Sequence, residues 1–379
     1  MKSKLKALYI GFNRTYTNPS FDVQIRVFAS ITDLTFYGPG FSSDAELNLG
    51  IDKFAENKGY DLLIADSYVF EFDRIQKRSK PFAGDYIRFT KEQYIANAEN
   101  YNRFFMQFPN IKILIANWDT YNIESSMIER LIKSETFVLD PGISSSASIE
   151  ELQDTYGAQV NGTDNWYNFV KSCKERIISV PHTISMDEFD FTPLEKRQNL
   201  FSVIGAPYPE RKQAKKMMKN DQKIIAFLLK MRYAVTSRVS TTLTLAALNS
   251  MRVRYFNTCL NSKYCYVSGG PWLYPVRKYF EVPAKGCIPI GWPCMGFENF
   301  GFKDKTNFFV AKTNKEIKKI IQEYPLIELQ SIADKGRQLI IDFHSNIART
   351  EQISSSLNLI LSNNFKGSSW QDGKYFNII

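Results

Sequence analysis

The 379-residue sequence predicts an α/β protein built from two Rossmann-like units in tandem, and three observations carry that prediction. Short apolar runs recur along the chain, several of them ending at glycine. Segments of helical period separate them. After an irregular stretch near residue 190 the same alternation begins again. Strands that alternate with helices imply parallel pairing, because a parallel neighbour is reached only through a crossover connection, usually a helix.

The first unit opens with Lys6-Ala-Leu-Tyr-Ile-Gly11, a buried strand feeding a loop. Asp61–Asp66, Ile111–Asn117 and Glu135–Asp140 repeat the pattern, with helical period over Lys91–Phe108 and Ile123–Ile132 between them. Ile177–His182 and the acidic, proline-containing stretch Thr183–Gln198 read as a connection between domains. The second unit restarts at Leu200-Phe-Ser-Val-Ile-Gly205 and continues into a basic helix from about Arg211 to Met231. Further strands are expected at Lys263–Ser268, Cys287–Gly291 and Asn307–Ala311, and helices at Thr313–Glu323, Glu328–Phe343 and Ile347–Ser362. The expected division is 1–190 for the first domain with its linker and 191–350 for the second. Residues 351–379 form a terminal helix and tail that pack back on the first domain.

Composition sets the outer limits. A chain with 44% hydrophobic, 14% aromatic and 23% charged residues can fill real cores and is not a disordered chain. No apolar run approaches the roughly 18 to 20 residues that span a bilayer. Ala7–Phe12 is too short for a signal-peptide core, so the expected location is cytoplasmic, at most peripheral at the inner face of a membrane. The five cysteines contain no C-x-x-C pair and read as reduced, buried thiols. The net charge of +9 is divided unevenly, −3 over residues 1–180 and +12 over 181–379. The basic half suits an anionic partner.

Several chemistries lose their fingerprints. Neither opening strand is followed by G-x-G-x-x-G, and G-x-x-x-x-G-K-[ST] is absent, which removes the usual signs of dinucleotide and P-loop binding. The two histidines, His182 and His344, have no close ligand spacing, so no metal site and no cofactor is expected. Asp187-Glu-Phe-Asp190, the nearest thing to an acidic metal motif, reads as solvated linker.

The segment Arg277-Lys-Tyr-Phe-Glu281-Val-Pro-Ala-Lys-Gly286-Cys-Ile-Pro-Ile-Gly291, followed by Gly301-Phe-Lys-Asp-Lys-Thr-Asn307-Phe-Phe-Val, resembles the donor-site core of GT-B glycosyltransferases. It is most similar to the bacterial group 1-like, or spore-maturation-like, branch. Ile332-Ala-Asp-Lys-Gly-Arg337 and His344–Arg349 follow in the order seen there, and the resemblance is clearest over about 200–355. It implies two domains facing a cleft and transfer of a sugar from a nucleotide-diphosphate donor to a glycan or other hydroxyl acceptor, without an essential metal. In members with an E-x7-E pattern the second glutamate binds the nucleotide ribose, and Glu281 matches it. The first is replaced by Leu273, which leaves open whether configuration is inverted or retained.

Physical reasons accompany these assignments. A carboxylate at Glu281 offers acceptors to ribose hydroxyls near a helix start that favours an anionic diphosphate; alternatively it only complements the helix dipole. Gly205 lets backbone approach a phosphate, with Arg211 or Lys212 supplying charge. Arg277, Lys278 and Asn307 complete the candidate donor set. In the first domain Asn13 follows the opening strand, where ligands of open α/β sheets gather. Trp118 or Tyr121 would stack on an acceptor sugar. Asp119 would orient the acceptor or take its proton, and His182, at the domain junction, is a second candidate base. Two rivals remain: a nucleic-acid-modifying transferase, disfavoured by the −3 charge of the acceptor half, and a non-catalytic basic module docking on anionic lipid or nucleic acid. An acidic membrane surface is the expected partner for the surplus positive charge.

Overall fold

A computed structural model of the chain describes residues 4–13, 15, 19–70, 91–116, 125–141, 164–205, 208–218, 241–270 and 273–379. The first domain runs β1 (Leu5–Ile10), α1 (Pro19–Ile31), β2 (Thr32–Tyr37), α2 (Asp44–Leu49), α3 (Ile51–Ala55) and β3 (Leu62–Asp66). It continues with α4 (Lys91–Gln107), β4 (Ile111–Ile115), α5 (Ser125–Lys133), β5 (Phe137–Asp140), α6 (Asp164–Ser172) and β6 (Ile177–Ser179). Its six strands form a parallel sheet in the order β2-β1-β3-β4-β5-β6. Leu8 and Ile10 face one apolar cluster while Ala7 and Tyr9 face another, so the sheet is covered on both sides, as parallel sheets require. The order reverses between β1 and β3, which opens a crevice at their carboxyl ends.

Two strands of this sheet differ from the sequence expectation, as does the antiparallel hairpin of Ser368–Gln371 and Lys374–Asn377 in the stretch expected as a tail. β2, Thr-Asp-Leu-Thr-Phe-Tyr, is an edge strand with a half-polar face and therefore lacks a continuous apolar run. β6 lies in the stretch read as linker; its three residues pair with β5 and close the opposite edge of the sheet.

In the second domain β7 (Asn199–Val203), α7 (Pro209–Lys215), α8 (Thr241–Asn261), β8 (Ser262–Val267), α9 (Lys278–Ala284), β9 (Ile288–Gly291) and β10 (Phe309–Val310) lead to α10 (Asn314–Glu323) and α11 (Leu326–Leu339). The strands form a parallel sheet in the order β10-β9-β8-β7. The basic helix is shorter than its charge pattern suggested: α7 ends at Lys215 and passes into a turn, and residues 219–240 lie outside the described residues.

A π-helical turn, Ile340–His344, then returns the chain to the first domain as α12 (Asn346–Leu361), β11 (Ser368–Gln371) and β12 (Lys374–Asn377). Ile353, Leu357 and Ile360 of α12, with Phe365, join the first domain's core beside Phe21, Ile25 and Phe28 of α1. Trp370 on β11 donates its indole N–H to the Ser179 carbonyl at 2.8 Å. The two interdomain crossings run side by side, since Ile184 N–H donates to the His344 carbonyl at 3.0 Å and Asn346 N–H to that of Ile184 at 2.9 Å.

The linker is not a solvated strap. Glu188 is 5% exposed, Lys285 Nζ donates to Asp190 at 2.9 Å, and the buried Arg197 guanidinium donates to the carbonyls of Thr192, Cys259, Ser262 and Lys285 at 2.7 to 2.9 Å. Asp187 and Asp190 keep to the surface, Asp187 with its carboxylate 3.6 Å from Arg26 of α1. No helix among the described residues is long and apolar enough to cross a membrane.

Candidate functional site

The charged groups of the second domain converge at the carboxyl edge of its sheet. β7 runs out through Ile204 into Gly205, whose φ of +113° lies in a region that side chains rarely adopt. Lys278 Nζ occupies the space a Cβ would fill there, and Arg211 Nη1 lies 3.1 Å from the same point. Glycine is therefore required twice, by its backbone and by the cations that close over it.

Arg211, on α7, is 3% exposed and fixed by Ser268 at the end of β8: Nε donates to the hydroxyl at 3.1 Å and Nη2 to the carbonyl at 2.5 Å. Ser268 in turn donates to Glu210 at 2.8 Å. The Arg211 guanidinium also lies 5.0 Å from the centre of the Tyr208 ring. Burial first, and then the neighbouring Arg211 charge, push the Lys278 ammonium down to about 8, against the opposing attraction of Glu281. Two cations held side by side against their mutual repulsion form a place for an anion.

One turn along α9 lies a second group. Glu281 is 9% exposed; one oxygen accepts from Arg277 and the other from the Tyr255 hydroxyl at 2.7 Å. Arg277 also donates to Glu188 at 2.7 Å and to the Thr183 carbonyl at 3.4 Å, so its partners here are carboxylates of the protein rather than an open pocket. Position 273, where the motif lacks its first glutamate, is a leucine 1% exposed with φ of +51°, packed into the interior.

The remaining sequence candidates scatter. Lys212 is exposed on α7, and it is Lys215 whose ammonium reaches the Gly205 carbonyl, at 3.5 Å. Asn307 is buried and staples its own loop, donating to the Gly301 carbonyl at 2.9 Å and accepting from Lys303 N–H at 2.8 Å. Asn13 lies in the β1 crevice, where it donates to the Gly40 carbonyl at 3.0 Å and accepts from the Thr15 hydroxyl at 2.7 Å. Trp118, Asp119 and Tyr121 lie outside the described residues.

His182 stands at the junction, its Nδ1 2.8 Å from the Ser20 hydroxyl of α1 and its ring 6.4 Å from both Tyr274 and Phe280. Burial, helped by Arg277 and Arg349, pushes its pKa down to about 3, which leaves little driving force for accepting a proton at neutral pH. Glu188, Tyr255 and Glu210 were not singled out from sequence. Their roles depend on partners brought together by the fold, Glu188 from 89 residues away.

No protein-family model and no curated protein sequence matches the chain. Among solved structures it is similar to Alr3699/HepE from Anabaena in complex with UDP, with a TM-score of 0.54 and 10% identity, covering 93% of this chain and 100% of that one. The same protein in complex with UDP-glucose gives 0.50 at 10% identity, covering 93% and 99%. A glycosyltransferase from Rickettsia africae ESF-5 gives 0.50 at 11% identity, covering 95% and 99%. The likeness spans nearly the whole of each chain and establishes the fold, the GT-B arrangement of two Rossmann-like domains.

Proposed function

We propose that this chain is a glycosyltransferase that takes a sugar from a nucleotide-diphosphate donor held by the second domain and gives it to a hydroxyl acceptor held mainly by the first. The observation that carries this reading is the pair Lys278 and Arg211 over the bare backbone of Gly205. As the bond between sugar and diphosphate breaks, negative charge grows on the leaving phosphate. Cations already fixed there, Arg211 by Ser268 and Lys278 by its place on α9, stabilise that charge without having to reorganise. The reading needs no metal for this step. Alr3699/HepE, which shares the fold, is described with UDP and with UDP-glucose.

Glu281 serves the ribose in this reading. Each of its oxygens has one protein donor, and a carboxylate oxygen has two acceptor sites, so acceptor capacity remains for sugar hydroxyls. The acceptor would enter the β1/β3 crevice beside Asn13.

A thermal-shift screen of nucleoside diphosphates tests the reading without knowledge of the acceptor. At least one diphosphate should raise the melting temperature of the wild type, and the rise should vanish in Lys278→Ala. If none does so, and no nucleotide sugar does either, the proposal fails.

A further inference from the structure

We propose that Glu188, on the connection between the domains, is a positioning residue for the donor site: by holding one arm of Arg277 it keeps the Glu281 carboxylate open to a nucleotide ribose. The inference rests on the assignment of Glu281 made above and adds a residue that neither the sequence motif nor the cleft suggests.

The argument starts from the shape of a guanidinium. Its parallel N–H groups match a single carboxylate as a two-pronged fork, and arginine beside one carboxylate commonly binds it that way. Arg277 does not. One terminal nitrogen donates to Glu281 and the other to Glu188 at 2.7 Å, so the fork is divided between two acids. Glu281 therefore receives a single arginine contact, and its other oxygen faces the Tyr255 hydroxyl.

Glu188 is itself held firmly. It belongs to a short 3-10 turn, Met186–Glu188, and the oxygen that meets Arg277 also accepts the Ser185 N–H at 3.2 Å. Its second oxygen is buried and has no hydrogen-bond partner among the described residues. Two acids around one guanidinium, with a carboxylate oxygen unsatisfied, is an expensive arrangement for folding alone, since a buried ion pair seldom improves on apolar packing. Its effect lies elsewhere. With Glu188 removed, Arg277 is free to turn both prongs onto Glu281, and a ribose hydroxyl would then have to displace a charge-assisted hydrogen bond to bind.

The test compares two probes on the full-length chain by calorimetric titration: UDP, which carries a ribose, and inorganic pyrophosphate, which does not. Glu188→Ala should bind UDP about tenfold more weakly, the equivalent of one charge-assisted hydrogen bond, with pyrophosphate affinity held or improved. Glu188→Gln, which keeps an acceptor oxygen for Arg277, should show a smaller loss in the same direction. If the alanine variant does not fold, the glutamine variant decides on the same comparison. Equal weakening of both probes would make Glu188 merely structural, and unchanged UDP affinity would also overturn the proposal while leaving the donor site intact. Absence of UDP binding by the wild type would instead overturn the donor-site reading, and this inference with it.

Discussion

Raising the pH from 7 to 9 should remove one of the two cations at the candidate donor site and weaken anion binding about tenfold. Lys278 has been brought from its ordinary value of 10.5 to about 8 by burial and by Arg211. About nine-tenths of it is charged at pH 7 and about one-tenth at pH 9, so a ligand that needs the ammonium loses roughly 1.4 kcal/mol of binding. The ligand does not share in the change, because a terminal phosphate has already lost its second proton by about pH 7.

The protein alone should respond with the opposite sign. The unfolded chain binds more protons at this lysine between pH 8 and 10.5, so folding stability rises with pH across that window. At pH 7 the depressed value costs the folded state about 3 kcal/mol. Calorimetric titration of UDP at pH 7, 8 and 9 provides the measurement, with Lys278→Arg as the comparison that keeps its charge throughout. Wild-type affinity that stays level from pH 7 to 9, or a fall shared equally by the arginine variant, would refute the reasoning.

Two further outcomes concern stability. His344 donates Nε2–H to the Phe300 carbonyl at 2.9 Å, finds no partner for Nδ1 among the described residues and stacks 4.9 Å from Trp370, and burial beside Arg349 pushes its pKa down to about 3. The unfolded ring takes up a proton near pH 6.5 and the folded ring does not. Stability should thus fall as pH drops below 6.5, by about 2 kcal/mol from His344 at pH 5, and His182 acts in the same direction. Urea midpoints at pH 7 and 5 measure this, and a His344→Gln protein whose midpoint drops just as far would argue against it. Arg197→Met should lose about 3 to 5 kcal/mol in denaturant titration, because four carbonyls lose their shared donor; a loss below about 1 kcal/mol would mean that they find other partners.

What could be read from sequence was what local chemistry determines. The run Leu200–Gly205 declared both a strand and the glycine that ends it, because a buried parallel strand is apolar throughout and the turn beyond needs positive φ. Arg211 and Lys278 were named for the same site and do meet there. Lys215 rather than Lys212 reaches the Gly205 carbonyl, because which lysine of the basic helix faces the loop depends on where the helix starts. Arg277, assigned to the donor set from sequence, instead pairs with Glu281 four residues on, a spacing at which helical side chains meet. Glu188 was hidden altogether, since an acid in a polar, proline-containing stretch looks solvated until the fold brings Arg277 to it. β2 and β6 escaped for a simpler reason: edge strands need less apolar sequence, and three residues carry no period.

The return of the chain from the second domain to the first also sets an order of events during synthesis. The first domain begins with β1, but its sheet flank is covered by Ile353, Leu357, Ile360 and Phe365, and its edge strand β6 is capped by Trp370. Domains generally fold as units, the amino-terminal one first as the chain emerges. Here the second domain's strands, β7 to β10, leave the ribosome before α12 does. The domain that is translated first is thus the one completed last, since until then the apolar flank that α12 and Phe365 cover lacks its partner.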